Sequence, residues 1–426
     1  MPNNKKHSIH FDWFFFFFLL SLVTVMMFGL FYRQSMGSES YYPSDVKAYI
    51  LEMQGLESGY EFPYPVLFWL SAFLDLFVSP PIAVALVVTV LNAFAMVIVK
   101  YYMNQLFCKS ETASSSGNKA LGGIACSVAT FFLFYVSMLF PPGAYQPGVD
   151  QYYVGVFTPN PFHNATYLAA RPFAIVTFII FIKVLSTYEQ GIRKCWKQEL
   201  LLGISLLLAT MTKPSFTLIF LGAAGLVLLF RLLRGGFAIL PATLQLVLFF
   251  IPTFAHLLYQ FQGVFVPSPG EVGGIGFSLA EVWLHHSNNI PVAILKAICF
   301  PLLVVIFNRK VAQKRESTRF AWLLYLVSLA MFLFLYEKGF RKYDMNFSWG
   351  YMCGLFFLFL DSILLLIEQT IAIKPLIGSC KKNAQRFIKK ELRCVLMLVL
   401  QWMVFFWHLI CGILYFMGIY SGVMYY

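Results

Sequence analysis

The sequence predicts an all-α fold, a polytopic transmembrane helix bundle, and three observations predict it. Hydrophobic residues make up 59% of the 426-residue chain and charged residues 12%, about half the charged share of a soluble domain. Apolar runs close to the roughly 20 residues that cross a bilayer recur along the chain. The Lys and Arg between those runs are unevenly distributed, as they are when basic loops stay on the cytoplasmic side. The net charge of +12 therefore reads as topology, and no nucleic-acid partner is expected.

The first run, "DWFFFFFLLSLVTVMMFGLFYR", is too long for a signal-peptide core and no A-x-A-like cleavage site follows it. It is read as a retained helix. The length rule places about 11 spans, at about 13–32, 82–103, 120–140, 169–187, 200–213, 215–233, 238–258, 290–307, 320–336, 349–371 and 394–418. Lys213-Pro214 stops the fifth, which suggests two segments meeting at that lysine. "YPVLFWLSAFLDLFVSPP", 64–81, carries Asp75 in its middle and two prolines at its end. It is short for a span and is read as an interfacial helix that does not cross. With the N-terminus inside, the outer side keeps Arg33, Lys47, Arg171, Lys213, Lys296, Lys338, Arg341 and Lys342, eight of 31, which leaves 23 inside. That split sets the orientation.

The chain then reads as a single integral-membrane domain, 1–426, with outer segments 33–81, 141–168, 259–289 and 337–348. "KSETASSSGNK", 109–119, has the composition of a flexible inner linker. The Gly-rich "GEVGGIGF", 270–277, is read as a mobile outer loop, since no strand precedes it to make a phosphate fingerprint. The eight Cys include no CxxC pair and no zinc-like spacing, so neither a disulfide framework nor a structural metal is expected.

Unusual polar residues gather at the outer end. In "SESYYPSDVKAYILEMQG", Asp45 stands before a short apolar-periodic run, where it suits either a helix cap or a general base. In "TPNPFHNATYLAARPFA", His163, Asn164, Tyr167 and Arg171 crowd a helix mouth. Arg171 can clamp a phosphate through its fork of donors or reach to the interface. Lys213 at its helix break is a candidate anion site. "YEKGFRKYDMNFSWGY" puts Lys338, Arg341 and Lys342 where the charge rule disfavours cations, which an anionic ligand or a self-paired hairpin would compensate. The sequons at Asn164 and Asn346 lie too near the membrane to serve as acceptors, and are read as chance matches.

Three of these features together resemble the integral-membrane GT-C glycosyltransferases, such as the protein O-mannosyltransferases and the aminoarabinose transferases of lipid A. They are an Asp soon after helix one, the interfacial "YPVLFWLSAFLDLF", and the Lys-Pro break in "LLLATMTKPSFTLIFL". The likeness covers roughly residues 13 to 233. It implies an outward-facing site that takes a polyprenyl-phosphate-linked sugar and inverts the anomeric centre, with Asp45 as the base. His163, Asn164 and Tyr167 would line the sugar pocket, and Arg171, Lys213, Arg341 and Lys342 would hold the donor phosphate. The acceptor would be a glycan, a lipid or a protein. No cofactor is certain, and room is left for a divalent metal. The composition fits a bacterial cytoplasmic membrane. A lipid-linked glycan polymerase or ligase is the nearest alternative, though the 259–289 loop has no Arg to serve one. A transporter or flippase is another, though no repeated halves are seen.

Overall fold

A computed structural model describes residues 4–38, 41–59, 62–109, 116–140, 157–190, 195–265, 273–287, 289–339, 341–379 and 384–422. Glu61, the linker core 110–115 and the 141–156 part of the loop before His163 lie outside them. The chain is helical almost throughout. In order it forms α1 (Asn4–Met36), α2 (Val46–Met53), α3 (Pro65–Asp75), α4 (Pro80–Lys109), α5 (Ser116–Leu133), α6 (Ala165–Leu185), α7 (Trp196–Thr212) and α8 (Ser215–Arg234). Then follow α9 (Leu240–Leu248), α10 (Ile251–Phe265), α11 (Trp283–His286), α12 (Ile290–Phe307), α13 (Arg309–Ala312), α14 (Glu316–Phe334), α15 (Ser348–Ser379) and α16 (Ala384–Tyr420). Two short strands, β1 (Ile275–Phe277) and β2 (Leu335–Glu337), pair antiparallel.

Among the described residues, eight helices are long and apolar enough to span a membrane, or nine if the bent pair α9–α10 is one span. The expected eleven runs all exist as helices, but three fall short for stated reasons. α7 ends at Thr212 after 17 residues, because a residue before proline is pushed out of the helical region. Lys213 is accordingly extended, at φ −165° and ψ 123°. α9 and α10 meet at 50° beside Pro252, whose ring cannot donate to the preceding turn and crowds it. The run expected at 120–140 stops being helical at Leu133, and 134–140 continues as non-helical backbone inside the bundle.

Such backbone at membrane depth must find partners within the protein. Ser137 N donates to the His408 carbonyl at 3.1 Å and Leu139 N to that of Lys296 at 3.0 Å. Asn160 Nδ2 donates to the carbonyls of Leu133 (3.0 Å) and Val136 (2.8 Å). α16 approaches this segment through Gly412, where a Cβ would overlap the Tyr135 carbonyl. Gly412→Ala is therefore expected to remove most of the monodisperse protein from size-exclusion profiles in mild detergent. Gly225→Ala, whose Cβ would meet nothing within 4 Å, serves as the control and should elute normally.

Burial orders the bundle. The spanning windows of α15 and α6 are 94% and 78% buried, those of α1 and α16 only 28%. The first two are the axis and the last two face lipid. α6 packs between α4 and α7, and α15 against α14, α12 and α8. α3 is 11 residues long, about 16 Å at the helical rise, and cannot cross. Its Val66, Leu67 and Phe68 are buried while Trp69, Phe73, Leu76 and Phe77 point outward.

The end of the bundle opposite α2 and α3 is held by ion pairs. Lys100, fully buried, donates from Nζ to Asp12 Oδ1 (2.7 Å) and Oδ2 (2.9 Å), Asn104 Oδ1 (2.9 Å) and the Gly123 carbonyl (2.6 Å). Arg231 pairs with Glu189 and Glu316. Arg315 pairs with Glu368 at 2.7 Å and Asp361 at 3.4 Å. Asp361 also accepts from Ser317 and Thr318. Sequence reading treats these basic residues as loop charges, and the fold ties many of them to carboxylates.

Candidate functional site

At the other end, α1 hands the chain to α2 through Ser44 and Asp45. Asp45 occupies the N-cap position of α2, yet its carboxylate makes no capping bond. Ser44 Oγ takes over locally, accepting from Val46 N at 3.3 Å and donating to the His163 carbonyl at 2.8 Å. The Asp45 carboxylate is thus free to turn to other partners. Its Oδ2 accepts from the Tyr49 hydroxyl at 3.0 Å and from Asn164 Nδ2 at 2.9 Å. Tyr49 lies one helical turn on, where i and i+4 share a face. Asp45 itself is exposed.

Asn164 is the hub. It caps α6, its Oδ1 accepting from Tyr167 N at 2.9 Å. The same oxygen accepts from Thr166 Oγ1 at 2.9 Å and Lys213 Nζ at 3.1 Å. One amide therefore touches an exposed carboxylate on one side and a buried ammonium on the other. At 1% exposure Asn164 is closed to glycosylation. The break at Lys213-Pro214 is what swings Lys213 inward. There Nζ also donates to Thr166 Oγ1 at 3.1 Å, and it lies 4.5 Å from the Trp349 ring centre and 5.9 Å from that of Tyr64. Burial brings its ammonium down to about 8, although the Asp45 charge pulls the other way.

The neighbours respond to the same environment. Burial, and next the Asp45 charge, hold the Tyr49 hydroxyl well above its ordinary value. Tyr64 is pushed up to about 12 by burial, with Arg341 opposing and Glu337 and Asp45 adding to it. Glu337 is itself raised by burial, and accepts from Asn346 Nδ2. His163 is brought down to about 3 by burial and then by Lys213. This environment favours its neutral ring. Its Nδ1 meets the Tyr415 hydroxyl at 3.3 Å and its ring packs on Trp349.

The remaining expected residues separate into two groups. Tyr167 stays with the cluster, its ring against Trp349 and under the Arg171 guanidinium. Arg171 lies a turn deeper and is 4% exposed. It donates from Nη2 to the Pro159 carbonyl at 2.8 Å and Asn160 Oδ1 at 2.7 Å, bracing the loop before α6. The cavity that Arg171 lines with Lys213 has room for a water or two, too little for a lipid phosphate. Arg341 is near enough to act on Lys213 and Tyr64 but pairs with Asp344 at 3.3 Å and Glu337 at 3.8 Å. Lys342 belongs elsewhere, donating to Glu281 Oε1 at 2.7 Å. The 337–344 turn is thus largely the self-paired hairpin. The end of the Gly-rich run is strand rather than loop: Gly276 pairs with Tyr336, whose ring fills the space where a Cβ would stand.

Sequence reasoning missed Tyr49, Tyr64, Thr166 and Trp349. Tyr49 was within reach through its i+4 spacing from Asp45. Thr166 is hidden inside a sequon, and Trp349 carries no local signal. Among the described residues no three His, Cys, Asp or Glu side chains gather as metal ligands. The partners of Asp45 are an amide and a hydroxyl, with an ammonium one amide away, a set that does not suit a divalent cation. Compared with known proteins, the chain matches no protein-family model, no curated protein and no solved structure.

Proposed function

We propose that the protein is a membrane glycosyltransferase, taking a sugar from a polyprenyl-phosphate donor to an acceptor hydroxyl at the outer face of a bacterial cytoplasmic membrane. The observation that supports this reading is the Asp45–Asn164–Lys213 relay: an exposed carboxylate and a buried ammonium set on either side of one amide. Asp45 takes the acceptor proton as the acceptor oxygen attacks the anomeric carbon from the face opposite the phosphate. The bond from that carbon to the phosphate oxygen breaks, and its electron pair leaves with the polyprenyl phosphate. Lys213, joined to this path through the Asn164 amide, adds positive potential toward the charge that develops there, in a dry setting where it counts most. Arg341 is the second cation close to this path, and Lys342 is left to its pairing with Glu281.

The reading is tested by mass spectrometry of lipids that co-purify with the full chain in mild detergent, wild type beside Lys213→Met. A polyprenyl phosphate or its sugar adduct in the wild type, depleted in the variant, is the expected result. No isoprenoid lipid in the wild type removes the proposal. A pH profile adds a second check. The Lys213 ammonium is lost as pH rises through about 8, so kcat/KM for transfer should fall across that range. Lys213→Met should be flat there and about 10²-fold slower, the usual effect of losing one such stabilising donor.

A further inference from the structure

Buried charges are ordinarily paired, because taking an ion out of water costs several kcal/mol. Arg171 and Lys213 break that rule together. They are 4% and 7% exposed, and among the described residues neither has a carboxylate within 4.0 Å. The two line one cavity with Ser215, Phe216, Tyr167 and Cys353, and no acidic side chain lines it. Arg171 Nε is buried without a hydrogen-bond partner, and the guanidinium lies among the Phe134, Tyr167 and Phe356 rings. Its Nη2 is taken by two neutral oxygens, and Lys213 Nζ by two more. Beyond these the Lys213 ammonium meets, among the described residues, only aromatic faces, those of Trp349 and Tyr64, and no anion.

The cavity also meets the start of α8, a helix of 20 residues whose N-cap is Pro214 and which has no side-chain cap. The first N–H groups of a helix lack partners within it and carry the positive end of its dipole. Three sources of positive potential thus meet at a cavity with room for a water or two. Its size suits one small sphere rather than a phosphate or a carboxylate-bearing ligand. We infer that this cavity is a halide site, holding one chloride between Arg171, Lys213 and the N-terminus of α8. The ion offsets one of the two positive charges and fixes the junction of α6, α7 and α8. This inference stands apart from sugar transfer, since it needs neither donor nor acceptor.

The test uses the full chain in mild detergent and no substrate. Thermal unfolding is followed while chloride replaces gluconate at constant ionic strength. The midpoint of the wild type should rise saturably by about 3 °C or more, as a ligand that binds only the folded state requires. Lys213→Met, and Ala174→Leu, which fills the cavity wall, should each lose that response. If one variant fails to fold, the other decides. An unchanged wild-type midpoint, meaning a water in the cavity, would overturn the assignment. So would an equal chloride response in wild type and in the variants that fold. Crystals grown in bromide should show one anomalous peak in the cavity, and its absence would have the same force.

Discussion

Asp45→Asn is expected to lower sugar transfer by about 10²- to 10⁴-fold, the usual contribution of a positioned general base, with no loss of folded protein. The substitution is nearly isosteric. The Asn oxygen can still accept from Tyr49 and Asn164, which hold Asp45 Oδ2 at 3.0 and 2.9 Å. What is lost is the ability to take a proton. Asp45 is exposed and its partners Tyr49 and Asn164 are neutral, so no ion pair in direct contact is broken. Initial rates with a polyprenyl-phosphate-linked sugar, measured beside elution profile and unfolding midpoint, separate chemistry from folding. A variant within tenfold of the wild-type rate would remove Asp45 from the role of base.

Asp12→Ala should cost about 3–5 kcal/mol of stability, because it strands a fully buried ammonium. Lys100 would keep Asn104 and the Gly123 carbonyl, neither of which carries charge. Ser127 Oγ and Asn104 Nδ2 would each lose a bond to the carboxylate. Replacing both members, as Asp12→Leu with Lys100→Met, should cost less than the single change, since no unpaired charge remains. Unfolding midpoints of the two variants in one detergent decide the matter. A double variant less stable than Asp12→Ala would show that the network matters for its hydrogen bonds rather than for its charge balance.

Much of the helical architecture is legible in the sequence, because length and hydropathy alone determine what can enter lipid. The break at Lys213-Pro214 is legible too, because proline acts on its immediate neighbour. What composition could not carry are contacts between distant segments. Asp12 and Lys100 are 88 residues apart, and nothing local marks either as a partner of the other. The same holds for Trp349 over Lys213. Asp45, Asn164 and Lys213 could each be singled out as polar residues at helix mouths, but nothing local shows that the Asn164 amide joins the other two. Arg171 and Lys342 were chosen by the same rule, and the fold makes Arg171 a brace of the loop before α6 and gives Lys342 a surface ion pair. A cation in the wrong place by the charge rule can be compensated within the chain as well as by a ligand.

The stretch from Phe134 to Phe140 sets an order of events during biosynthesis. Its first three N–H groups bond back to Phe131 and Phe132 and its Val136 carbonyl accepts from Asn160. Groups of Ser137, Leu139 and Phe140, however, are answered by Lys296 and by residues of α16, with His408 and Cys411 each 271 residues further along the chain than the groups they meet. While the ribosome is still making the intervening helices, those groups have no protein partner at membrane depth. The middle of the bundle therefore cannot close as it emerges. It waits for α16, and until then the segment needs water, a chaperone or the insertion machinery to hold it. Chains halted before residue 408 should remain bound to that machinery, whereas those carried through residue 420 should be released.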